Sequence, residues 1–102
     1  MIDRAAGIIQ DVVIEGAADV EILEGLNVLL TPGDRTDSPG VLQNVRVVGE
    51  TVIADVCLDE SHDCTAYILE RWEKDPEGVG IETHTDRRFT EAVFYNKKVR
   101  SL

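Results

Sequence analysis

Aromatic side chains make up only 5% of this chain, two tyrosines, two phenylalanines and one tryptophan, so its core has to be built mainly from aliphatic residues. Two cysteines, Cys57 and Cys64, are too few for a disulfide framework, and the expectation is free thiols in a cytoplasmic protein. No apolar run approaches the roughly 18 residues that span a bilayer, because stretches such as VVI and VLL are cut by Glu, Asn and Gly, so no membrane association is expected. The start, MIDRAAGIIQDVV, carries Asp3 and Asp11 where a signal peptide has a basic stretch and a longer apolar one, and it reads as mature. Basic residues are scarce as well: 10 against 20 acidic ones leave a formal charge of −10. Such a molecule repels phosphate as a whole, which argues against direct nucleic acid binding. A Walker loop, a G-x-G-x-x-G after a strand and a G-x-S-x-G are all missing. Ser61, His62 and Asp63 are consecutive and cannot aim at one another as a triad does, so no enzymatic activity is expected.

What is present suits a single folded domain. With 102 residues, 43% of them apolar, the chain can bury roughly 65% of its unfolded surface around one core. Its charge is unevenly placed. Residues 1–86 hold 5 basic and 19 acidic side chains, a net of −14, whereas residues 87–102 hold 5 and 1, a net of +4. Residues 1–102 therefore read as one acidic globular domain with a basic C-terminal segment over 87–102. Opposite charges of this kind suit contact within the chain or between subunits.

Glycines at 7, 16 and 25, then at 40 and 49, lie nine residues apart and bracket short β-branched runs, the spacing of strands and turns. GIIQDVVIEG (7–16) laid on GVLQNVRVVG (40–49) matches at Gly7/Gly40, Gln10/Gln43, Val12/Val45 and Gly16/Gly49, which reads either as an internal repeat or as two similar strands of one sheet. Alternation places Ile8, Val12 and Ile14 on one face, and Val41, Val45 and Val47 on another. Residues 51–58 alternate most cleanly, with Val52, Ala54, Val56 and Leu58 together after a GET hairpin signal. Leu26, Val28 and Leu30 share a face that ends at TPGD (31–34), a type II turn, and DPEG (75–78) marks another turn.

CTAYILERWEK (64–74) fits a strand through Tyr67 and Leu69 or a helix through Ile68, Leu69 and Trp72; we favour the strand, with DESHD as a hairpin loop. FTEAVFYNKKVRSL fits a helix through Phe89, Ala92, Val93 and Val99, or a strand through Phe89, Glu91, Val93 and Tyr95. Near-heptad spacing of Ile2, Ala6, Ile9, Val13, Val20 and Leu23 admits an N-terminal helix, but Gly7, Gly16 and the β-branched residues weigh against it. The fold class expected is mainly β: a small single-domain barrel or sandwich of short antiparallel strands, with a C-terminal helix as one variant. From GVLQNVRVVGETVIADVCL through TAYIL to EAVFYNKKV the pattern resembles the small OB-like barrels of the molybdate-binding, transporter-associated TOBE type, although a serine-bearing turn after TAYIL is missing. That resemblance implies a small barrel.

Every Cys and His lies between 57 and 84, as Cys57, His62, Cys64 and His84 in a C-x4-H-x-C-x19-H spacing. Four such ligands suit zinc by composition, while the spacing matches no common finger or ribbon, and unliganded thiols and imidazoles are the simpler reading. A hairpin centred between Glu60 and Ser61 would set Cys57 opposite Cys64. Asp59, Glu60 and Asp63 gather in DESHD without an EF-hand pattern, as a solvated loop does. For interaction, the candidates are the cations Arg87, Arg88, Lys97, Lys98 and Arg100, together with Trp72, which could equally serve the core. The function expected is a protein-interaction or assembly module that associates with itself. The alternatives are an acidic inhibitor of a basic protein and a small-molecule-binding barrel.

Overall fold

The computed structural model describes residues 1–16, 19–85 and 89–97. The barrel is organised around β5 (Thr51–Leu58), whose alternation puts Ala54, Val56 and Leu58 inside. This strand pairs antiparallel on one side with β2 (Ile8–Glu15) and on the other with β4 (Gly40–Val48), which it follows through a two-residue turn at Gly49 and Glu50. Beyond β4 come β3 (Asn27–Leu29), then β7 (Thr90–Asn96), then β6 (Val79–Thr85). A pairing of β6 with β2 closes the six strands into a barrel. Two of the contacts, β3 with β7 and β2 with β6, are parallel; the others in the ring are antiparallel. A short β1 (Ile2–Asp3) lies on the edge of β2 that faces away from β5.

The ten-residue likeness between 7–16 and 40–49 has a structural counterpart, because the two segments are the strands on either side of β5. Each slips its register against β5 at the same place, between Ile9 and Val12 and between Gln43 and Arg46. Asp11 and Asn44, at matching positions, take φ of 58° and 53°. Those left-handed conformations favour Asp and Asn, whose short polar side chains bond locally. The bulges also overturn the expected faces. Ile9, Val12 and Ile14 are buried rather than Ile8, Val12 and Ile14, and in β4 the buried positions are Gly40 and Leu42, with Val45 packed against the core. A single extra residue reverses the in-and-out order upstream of it.

One further expectation is corrected, and one reading left open is decided. Residues Thr65–Lys74 form helix α2 instead of a strand, with Thr65, Ile68, Leu69 and Trp72 buried at the i, i+3, i+4, i+7 spacing of one helical face. DESHD is therefore the entry to that helix and not a hairpin tip. Of the helix and the strand left open for the C-terminal segment, residues Thr90–Asn96 take the strand; both faces are largely buried, which removes the alternation that would have marked it. The N-terminal segment is likewise β, apart from α1 (Val20–Leu23), a single turn capped by Asp19. TPGD does form its turn, with Gly33 at φ 84° and the Asp34 N–H bonded to the Thr31 carbonyl at 3.1 Å. So does DPEG, closed by the Gly78 N–H on the Asp75 carbonyl at 3.0 Å.

Phe94, Ile81, Leu42, Val56, Val28 and Ala54 fill the barrel interior and are no more than 1% exposed. No helix of the described residues is long and apolar enough to cross a membrane.

Candidate functional site

Because the inside of the barrel is packed, its cavities lie outside, and the larger one follows from how the barrel closes. β2 and β6 pair only at Ile14 with Ile81 and at Glu15 with Glu82. Close approach there needs Gly16, at φ 109°, where a Cβ would stand 2.3 Å from the Thr83 hydroxyl. Toward the start of β2 the two strands have no further pairing, and β1 takes up the same edge at Ile8 and Ile9. The Gln10 N–H extends that pairing to the Met1 carbonyl at 2.7 Å. Between Gln10 and Ile14, no described strand pairs with β2 on this side. The Asp11 N–H turns to the Asp55 carboxylate at 3.1 Å. Of Val12 and Val13, one must direct its N–H and C=O away from β5, because an antiparallel strand sends alternate residues to opposite sides.

The resulting seam is a groove of about 570 Å³. Trp72 of α2 lies at its base, 7% exposed and edge-on to Phe94 with ring centroids 6.2 Å apart. Val12, Val13, Ile2, Pro76 and Val79 make its apolar walls. Asp11, Glu73, Glu77 and Lys97 are the charged groups along it. Asp11 meets Arg46, and Glu73 meets Arg4, whose guanidinium is held charged beyond its usual range by that carboxylate.

Beside the groove, the two bulges share one carboxylate. Asp55 accepts from the Asp11 N–H, from the Asn44 side-chain amide at 3.3 Å and from Arg46 at 3.4 Å. Burial pushes the Asp55 carboxyl up, but these donors together outweigh it and hold the group below the usual carboxylate range. The network is satisfied within the chain, so its role is to fix the bulges that shape the groove. A second cavity of about 230 Å³ lies against β3 and β7, where the Arg35 guanidinium stacks on Phe89 at 3.5 Å and Glu91 accepts the Gly33 N–H at 3.1 Å.

The residues singled out in the sequence are dispersed. Cys57 sits on the outer face of β5 with its thiol on the Gln43 side-chain oxygen at 3.1 Å, and Cys64 precedes α2. His62 accepts the Cys64 N–H at Nδ1, 3.0 Å away, which places its proton on Nε2 toward Asp37 at 2.5 Å. His84, near the end of β6, faces Glu82 at 3.1 Å. Both cysteines are free thiols, and among the described residues no three His, Cys, Asp or Glu side chains gather as a metal ion would require. Zinc has no assembled ligand set there. The cross-strand cysteine pair does not arise, because α2 replaces the second strand of that hairpin.

Trp72 belongs to the core and also lines the groove. Lys97 lies on the groove, whereas Arg87, Arg88, Lys98 and Arg100 fall outside the described residues. Sequence reasoning missed Gln10 to Val13, Glu73, Pro76 and Val79 as one site. They come from two stretches of chain, 10–13 and 73–79, and only the incomplete pairing of β2 with β6 unites them. No family model, curated protein or solved structure matches this chain.

Proposed function

We propose that this chain is a non-enzymatic assembly module whose copies associate, the acidic body of one receiving the basic segment of another. The observation that carries the reading is the position of Lys97. This first cation of the 97–100 stretch lies on a groove that also presents Asp11, Glu73 and Glu77. Body and segment are opposite in sign within one molecule: residues 1–86 sum to −14 and residues 87–102 to +4. Contacts between solvent-exposed charges weaken as salt shortens the Debye length from ~10 Å at 0.1 M to ~3 Å at 1 M. Multi-angle light scattering on the full chain is expected to give a species larger than one copy at low salt and a shift toward the monomer at high salt. A monomer under both conditions overturns the reading.

A further inference from the structure

We infer that the seam between β2 and β6 is a strand-addition site, and that its occupant is the segment 98–102 of a second copy, exchanged reciprocally around a two-fold axis. This rests on the assembly reading and names the surface and the segment through which the copies meet.

The seam has the requirements for adding a strand. Among the described residues, the outer edge of β2 over Asp11 to Val13 has no strand partner, and on the opposite side Val79 and Gly80 pair with β7 alone. An extended segment laid there gains main-chain hydrogen bonds from these edges and sets alternate side chains into the groove. Val13, 47% exposed, and Trp72 offer apolar contact, and Glu77 offers a carboxylate to an incoming cation, while Asp11 and Glu73 already meet Arg46 and Arg4. In the stretch Lys98-Val99-Arg100-Ser101-Leu102, alternation sets Val99 toward one face and the cations Lys98 and Arg100 toward the other.

Direction decides whose seam is filled. β7 runs antiparallel to β6 and ends at Asn96 opposite Val79, and the Lys97 N–H bonds the Gly78 carbonyl at 2.8 Å. At Lys97, the last described residue, the strand direction of β7 thus points out of the open end of its own seam. Entering that seam would require a reversal that consumes part of the five residues. Five extended residues reach about 17 Å. Two copies set groove to groove bring each exit point beside the other copy's seam, and such an isologous contact closes at two copies.

Trp72 is the only tryptophan and lines the groove, so its emission reports occupancy. The test uses three samples: the full chain, the chain shortened after Lys97, and the shortened chain with a synthetic peptide of residues 96–102, NKKVRSL. The expected results are a dimeric full chain, a monomeric shortened chain, and a saturable change in Trp72 emission on adding peptide. The peptide's affinity should fall about tenfold in Glu77→Lys, a rim change that leaves the core untouched. If both chains dimerise and the peptide leaves Trp72 unchanged at ~1 mM, the exchange is overturned and the assembly reading stands. If the full chain is monomeric at every salt concentration, the assembly reading falls; if the peptide nonetheless binds the shortened chain, the seam is filled by its own segment and the exchange falls with it.

Discussion

Asp55 ties together the two bulges that flank β5. Its carboxylate takes one donor from each bulge, the Asp11 N–H and the Asn44 amide, and faces Arg46, which also meets Asp11. Asp55→Asn keeps the shape but loses the charge and one acceptor, and is expected to cost about 1–3 kcal/mol at pH 7, read from urea midpoints. The effect has a defined pH dependence. A carboxyl held below its ordinary range in the folded state contributes stability that is complete above about pH 4 and is lost as pH falls through the lower folded value. The stability curves of the natural chain and Asp55→Asn should therefore converge below pH 4. A gap of undiminished size at pH 2 would show that the donors do not act through the charged carboxylate.

Among the elements, α2 and β2 define the groove together, one by a side chain and the other by what it leaves unpaired. The entry to α2 is tied by local bonds: Ser61 donates twice to the Asp59 carboxylate, which this holds below its usual range, and Thr65 donates to the Asp59 carbonyl. Those ties orient the helix so that Trp72 stands under the seam, where β-sheet pairing is incomplete. Trp72→Ala is expected to destabilise the domain by about 3–5 kcal/mol, measured by thermal or chemical melting, because it leaves a void against Phe94 that the strands cannot collapse to fill. A loss below about 1 kcal/mol would mean that Trp72 does not plug the barrel.

The elements also show how far local pattern carries. The alternation of β5 was legible because its two neighbours pair with it along nearly its whole length, and its inner face is continuous. That of β2 and β4 was misread, since a bulge is invisible to a period of two, although the matched Asp11 and Asn44 hold a clue in retrospect. α2 reads as a strand in the sequence because DESHD looks like a hairpin loop and Tyr67, exposed on the helix's outer face, mimics alternation with Leu69.

For the molecule as a whole, a charge of −10 on a chain with a radius of gyration of 12.5 Å sets a repulsion that opposes compaction. The ion pairs are mostly exposed, as with Lys74 and Glu70 or Arg4 and Glu73, and such pairs contribute only about 0–1 kcal/mol each. Screening should therefore help more than it harms. For the chain shortened after Lys97, which lacks the exchanged segment, the melting temperature is expected to rise as sodium chloride is raised from about 0.05 to 1 M, where the Debye length falls to ~3 Å. A melting temperature that falls over that range would show that attraction between acidic and basic surfaces outweighs the repulsion.

Composition and short-range order determined that this chain is one mainly β domain, where its turns fall, which face of β5 is inward, and how its charge divides. Those properties depend on residues within a few positions of one another, on glycine and proline at turns and on the period of the side chains. The tertiary structure decided the rest. Closure of β2 on β6 joins residues 67 positions apart, at Ile14 and Ile81, and the place where that closure stops makes the groove. Cys57, His62, Cys64 and His84 lie within 28 residues of sequence, but a helix and the barrel wall set them in different surroundings. Proximity along the chain does not bring side chains together; strand register and helix placement do.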